Sequence, residues 1–138
     1  MQRMTRRTAL ALSAAAATML ATGSAAVAQG SGLTPTNGKL PKGVSRKPRG
    51  KRAAMLPGYK NVQMVDIVYE PGAKTNNKSM PSDMVCHVPQ GELHIKKSDG
   101  MEFTAKEGDV WTCKKGEGEA VENIGKSVGI MRVIQLMA

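Results

Sequence analysis

The sequence predicts an all-β fold, a sandwich or barrel built from short strands. Three observations carry that prediction. From about Asn61 onward, apolar and β-branched stretches recur at short, fairly even intervals. Each is closed by residues that favour turns. Nowhere in this region do apolar residues recur with the 3.6-residue period of a helix. A chain of 138 residues is long enough for one domain around one core.

The elements follow in order. Val62 to Glu70 is rich in β-branched and apolar residues and reads as a strand that Pro71-Gly72 ends. Asp83 to Val88 is a second strand, and Pro89-Gln90-Gly91 turns it into a third over Glu92 to Lys96. Ser98-Asp99-Gly100 is a tight turn leading to Met101 to Ala105. Glu107-Gly108 turns the chain into Asp109 to Cys113. Ala120 to Asn123 and Val128 to Leu136 complete the set, separated by Ile124-Gly125-Lys126.

The first 28 residues read differently. Arg3, Arg6 and Arg7 precede an uncharged Ala/Leu-rich stretch from Ala9 to Leu20, and Ala26-Val27-Ala28 is a small-x-small cleavage site. This is the pattern of a secretory signal peptide cleaved after Ala28. Thr5-Arg6-Arg7-Thr8-Ala9-Leu10 resembles the twin-arginine export motif, departing from it at Ala9. The expected location is the periplasm. No later segment is apolar and long enough to read as a membrane-spanning helix.

Residues 29–52 are rich in Gly, Pro, Lys and Arg and lack periodicity, so the sequence predicts a disordered basic arm ahead of a domain over residues 53–138. Basicity belongs to this arm. Eight Lys and Arg lie between Lys39 and Lys60 with no acidic residue among them, whereas the rest of the domain sets nine basic against eleven acidic residues, a net of −2. Arg46-Lys47-Pro48-Arg49-Gly50-Lys51-Arg52 would attract an anionic membrane surface or an acidic protein. It lacks the interleaved aromatic groups that stack on bases, which argues against nucleic acid. Cys86 and Cys113 fit no zinc-finger or thioredoxin-like spacing, and the sequence leaves open whether they pair.

Two spaced motifs sharpen the fold. Gly72 is followed at fixed intervals by Lys78, Met80, Met84 and Gly91. Gly108 is followed by Lys114, Gly116, Glu119 and Asn123. This spacing resembles the two signature motifs of the cupin superfamily. There the positions of Lys78, Met80 and Met84 are His, His and Glu, that of Lys114 is Pro and that of Glu119 is His. The resemblance implies a cupin-type double-stranded β-helix, or jelly-roll barrel, and a homodimer. It also implies that the usual divalent-metal site has lost all but one ligand.

The candidate pocket residues are therefore Lys78, Met80, Met84, Cys86, Trp111 and Glu119. Met80 and Met84 are suited to fill the space a metal would take. Strand alternation points Cys86 the same way as Met84. Three readings follow. The principal one is an exported, non-catalytic binding or interaction module for a small ligand, with no cofactor. The second is a soft-metal site in which Met80, Met84 and Cys86 hold Cu(I), because thioethers and thiolates select that ion. The third is metal-free acid–base chemistry by Lys78 and Glu119. His87 and His94 fall outside the family's ligand positions and read as surface or packed residues. No phosphate loop or Ser-His-Asp pattern is present in the sequence.

Overall fold

The computed structural model describes residues 39–138. The proposed signal peptide and residues 29–38 of the basic arm lie outside the described residues. Nine strands follow in chain order: β1 (Val44–Ala53), β2 (Asn61–Tyr69), β3 (Lys74–Asn77), β4 (Asp83–Gln90), β5 (Glu92–Lys97), β6 (Glu102–Lys106), β7 (Val110–Cys113), β8 (Glu119–Glu122) and β9 (Gly129–Met137). They form two antiparallel sheets, one in the order β1-β2-β9-β4-β7 and one in the order β3-β8-β5-β6. β9 lies between β2 and β4, and β8 between β3 and β5, so distant strands are neighbours in both sheets. This is the all-β jelly roll that the sequence predicts.

The core lies between the sheets. Every second residue of the central strands points into it: Val65, Ile67 and Tyr69 from β2, Cys86 and Val88 from β4, and Met131 and Val133 from β9. Leu93 and Ile95 of β5, Val121 of β8 and Ala105 of β6 meet them from the other sheet. A fully buried aliphatic side chain of this size contributes about 1.5–3 kcal/mol.

The turns explain why the motif glycines keep their spacing. Gly72, Gly91, Gly108 and Gly116 all have positive φ. Gly91, at +83°, is the most constrained, because a Cβ there would lie 2.7 Å from Gly129 Cα and 2.8 Å from Val128 O. Asn123 joins the two motifs. It is buried, its Nδ2 donates to Tyr69 O and Ser127 O, and its Oδ1 accepts from Gly125 N, each at 2.9 Å. Its backbone also exchanges hydrogen bonds with Gly72 and Ala73.

The structure corrects the sequence reading in two places. Residues 44–52 are not a disordered arm: β1 pairs with β2 along its whole length. Its Lys, Arg and Pro content suits an edge strand, where exposed charge and a proline block pairing with another chain. The register shifts between Pro48 and Gly50, and Arg49 in that bulge reaches Asp66 Oδ2 at 2.7 Å. Arg132 holds the same carboxylate through Nε at 2.8 Å and Nη2 at 3.0 Å. The second correction is β3, whose residues Lys-Thr-Asn-Asn carry no apolar alternation. It is held as an edge strand by its ladder to β8 and by the Tyr69 hydroxyl, 2.9 Å from Thr75 Oγ1.

Candidate functional site

One end of the core is polar. Gln63, Gln135, Met84 and Cys113 are successive Cα partners across β2, β9, β4 and β7, and so form one row. On the facing sheet Lys97 is the partner of Glu119. All six are buried. Among the described residues Gln63 Oε1, both side-chain polar atoms of Gln135 and Glu119 Oε1 have no hydrogen-bond partner. A buried polar atom left unpaired costs about 1–3 kcal/mol.

Two side chains bridge the sheets here. Glu119 Oε2 accepts from Trp111 Nε1 and from Cys113 Sγ, both at 3.0 Å. Lys97 Nζ donates to Thr112 O at 2.6 Å, pairs with Glu117 Oε2 at 2.9 Å and lies 3.6 Å from Cys113 Sγ. Its three protons are thus committed. Burial works against the Lys97 charge, but Glu117, Cys113 and Glu119 outweigh it and hold the pKa above its ordinary value.

Cys86 and Cys113 are both buried free thiols. The hydrogen bond to Cys113, then burial and the nearby Glu119 carboxylate, push the Cys86 thiol far up, so it keeps its proton. Cys86, Cys113 and Glu119 place one sulfur or oxygen each within 4.8 Å of one another, a set that could hold a metal ion. A cleft of about 440 Å³ opens beside this end. Lys97, Phe103, Trp111, Thr112, Lys114 and Glu117 line it. Phe103 meets Trp111 edge to face, with centroids 5.6 Å apart at 80°.

Of the residues singled out in the sequence, Cys86, Trp111 and Glu119 meet at this end, with Met84 in the adjoining row, and Lys78 does not join them. Met80, Met84, Cys86 and Glu119 are buried, and Trp111 is half-buried against the core. Lys78 is exposed. It follows the end of β3, so the expected Lys78–Glu119 centre is not formed, and Lys97 supplies the buried amine instead. The family's metal positions do not fit a divalent ion here, since of Lys78, Met80, Met84 and Glu119 only the last is a suitable ligand. His87 Nδ1 lies 3.1 Å from Asp109 O and His94 Nε2 2.7 Å from Glu102 Oε1, both away from this end. Sequence reading missed Gln63, Gln135, Lys97 and Cys113 as interior residues. Strand parity was the available signal: Gln63 shares the phase of Val65 and Ile67, Gln135 that of Met131 and Val133, and Lys97 that of Leu93 and Ile95.

Comparison with known proteins agrees with this architecture. Residues 67–129 match the EutQ-like cupin domain. Over that stretch the chain is similar to a cupin domain. Among solved structures, the fold is similar to a protein of unknown function from Rhizobium leguminosarum bv. viciae 3841, at TM-score 0.58 and 19% identity, over 71% of this chain and 85% of that one. It is also similar to the Cnp3 cupin domain of Schizosaccharomyces pombe, at TM-score 0.58 and 16% identity, over 72% and 69%. KdgF from a Halomonas species matches at TM-score 0.56 and 14% identity, over 70% and 81%. Identities this low speak for the fold alone. No functionally curated protein matches this chain.

Proposed function

We propose that this cupin-like domain is an exported, non-catalytic binding module that takes a small polar organic ligand at the Gln63–Gln135–Glu119 end of its barrel. The observation that carries the reading is the group of buried, unpartnered side-chain atoms on those three residues. Glutamine amides both donate and accept, so a ligand with hydroxyl or carboxyl groups would satisfy them. The cleft lined by Trp111 and Phe103 supplies an amphipathic approach, and Lys114 at its rim attracts an anionic group. Turnover is disfavoured because Lys78 is exposed and Lys97 is tied to Glu117 and Thr112.

Trp111 is the only tryptophan in the chain, and its indole touches Glu119. Its fluorescence therefore reports on this end. Screening small hydroxy- and carboxylic acids by fluorescence and thermal shift, with a chelator present, tests the reading. A binder is expected, and Gln135→Leu should abolish its effect while leaving the fold intact. If no compound binds and the Leu variant is merely more stable, the glutamines are packing residues and the reading fails.

Location and partners belong to the same proposal. Recovery of a periplasmic form beginning at Gln29 would support export, and an uncleaved cytoplasmic chain would refute it. The basic strand β1 suits an anionic membrane surface or an acidic protein. A second copy could cover the outer face of the larger sheet, where half-buried Met64, Ile134 and Val85 are Cα partners across β2, β9 and β4. Light scattering after gel filtration checks this, and a monomer at all concentrations would refute it.

A further inference from the structure

We infer that Cys86, Cys113 and Glu119 form a binding site for a thiophilic divalent ion, with zinc as the best fit. Two of the three donors come from outside the family's ligand positions. This site shares Glu119 with the organic-ligand reading above but differs from it in the chemistry of what it binds.

Four observations lead to it. The donors come from three strands on two facing sheets, β4, β7 and β8, so the fold itself brings them together. Their ligand atoms lie within 4.8 Å of one another. Zinc binds sulfur at about 2.3 Å and carboxylate oxygen at about 2.0–2.2 Å, which spaces tetrahedral donors by about 3.5–3.8 Å. Small rotations of these side chains would therefore complete three corners of a tetrahedron. Glu119 Oε1 is buried and has no partner among the described residues, and a cation is what a bare carboxylate oxygen binds best. Finally, the thiols are not joined to each other.

The donor set also ranks the ions. Hard ions such as magnesium would reject two sulfurs, whereas zinc accepts both sulfur and carboxylate. Cu(I) accepts sulfur but gains little from Glu119. On binding, each thiol releases its proton to solvent, and the ion forms bonds to two thiolates and one carboxylate with no change of oxidation state. Lys97 is already matched by Glu117, so a divalent ion reduces three local negative charges to one, and a monovalent ion only to two. The ion has a short route in. Lys97 and Trp111 line the cleft and also contact Cys113 and Glu119, so these two side chains separate the cleft from the donors.

The test uses the whole chain, reduced and stripped of metal, with zinc, Co(II) and Cu(I) as probes against competing chelators. Zinc should bind one to one with submicromolar Kd. Co(II) should give the near-ultraviolet band of thiolate-to-cobalt charge transfer, a readout that needs no variant. Cys113→Ser should weaken zinc at least 100-fold. Glu119→Gln should weaken zinc about tenfold and leave Cu(I) within about threefold. Circular dichroism checks that each variant is folded. Zinc no tighter than micromolar, no thiolate band, or zinc binding unchanged in Cys113→Ser would each overturn the proposal. So would tight Cu(I) binding with weak zinc, or a Cys86–Cys113 disulfide in protein taken directly from cells. A failed organic-ligand screen leaves these readouts unaffected, because that screen is run with chelator.

Discussion

Replacing Asn123 by Ala should destabilise the domain by about 2–4 kcal/mol. The side chain makes three hydrogen bonds of 2.9 Å, each contributing about 1 kcal/mol net. The groups left behind differ. Ser127 is exposed and Gly125 half-exposed, so water can replace their partner, whereas Tyr69 is fully buried and its carbonyl loses a donor outright. For a domain of about 100 residues, each kcal/mol shifts Tm by about 4–8 °C, so the melting point should fall by about 8–32 °C. Urea unfolding is the assay, with the midpoint shifting and the slope unchanged. Asn123→Asp should be no milder than Ala. It keeps the acceptor for Gly125 N but turns the donors facing Tyr69 O and Ser127 O into a carboxylate facing two carbonyls. A loss below about 0.5 kcal/mol for Ala, or an Asp variant milder than Ala, would refute the view that Asn123 clamps the two motifs by donation.

Other consequences are equally concrete. The Arg132 guanidinium, helped by Arg49, holds the buried Asp66 carboxyl below the usual carboxylate range. The unfolded chain then takes up a proton first, at about pH 3.9. The stabilisation is therefore complete above that pH and lost as pH falls through the lower folded-state value. Urea midpoints from pH 6 to 3 should fall more steeply for the wild type than for Asp66→Asn, and equal slopes would count against it. Gly91→Ala combines a positive φ with a 2.7 Å clash against Gly129 Cα and should cost about 2–4 kcal/mol in the same denaturation assay. Substituting Lys47, Pro48 and Lys51 by Thr should uncap the β1 edge and promote self-association in sedimentation velocity. A profile identical to the wild type would mean that charge and proline do not guard that edge.

The sequence made the frame legible because the frame rests on backbone geometry. Gly72, Gly91, Gly108 and Gly116 occupy positive-φ turns, and Asn123 ties the ends of the motifs, so fixed spacing reported directly on fold. β1 was not legible, since Lys, Arg and Pro at a guarded edge look the same in sequence as Lys, Arg and Pro in a solvated linker. Lys78 misled for a related reason. Motif spacing assigned it to the interior, but it follows β3, beyond the last residue of the ladder to β8, where alternation no longer directs a side chain inward. Lys97 was missed because a lysine at the end of a strand suggests solvent. Only the phase it shares with Leu93 and Ile95 marks it as interior, and only tertiary structure supplies the Glu117 and Thr112 groups that make its burial tolerable.

The interior polar row is best understood by what it does to stability. Val, Ile, Leu or Met fills the inward phase of the central strands over most of the barrel. At one end that phase passes to Gln63, Gln135, Lys97 and Glu119. Lys97 is fully paired and nearly neutral in effect, as a well-partnered buried ion can be. The other three carry unpaired buried atoms at about 1–3 kcal/mol each, against a total stability of about 5–15 kcal/mol for a domain of ordinary size. Leu or Met at Gln63 and Gln135 would remove that penalty while preserving the strand pattern. A core that is apolar at one end and holds unpaired amides and a carboxylate beside two thiols at the other is poorly optimised as packing. Those groups become favourable only when something polar or cationic completes them.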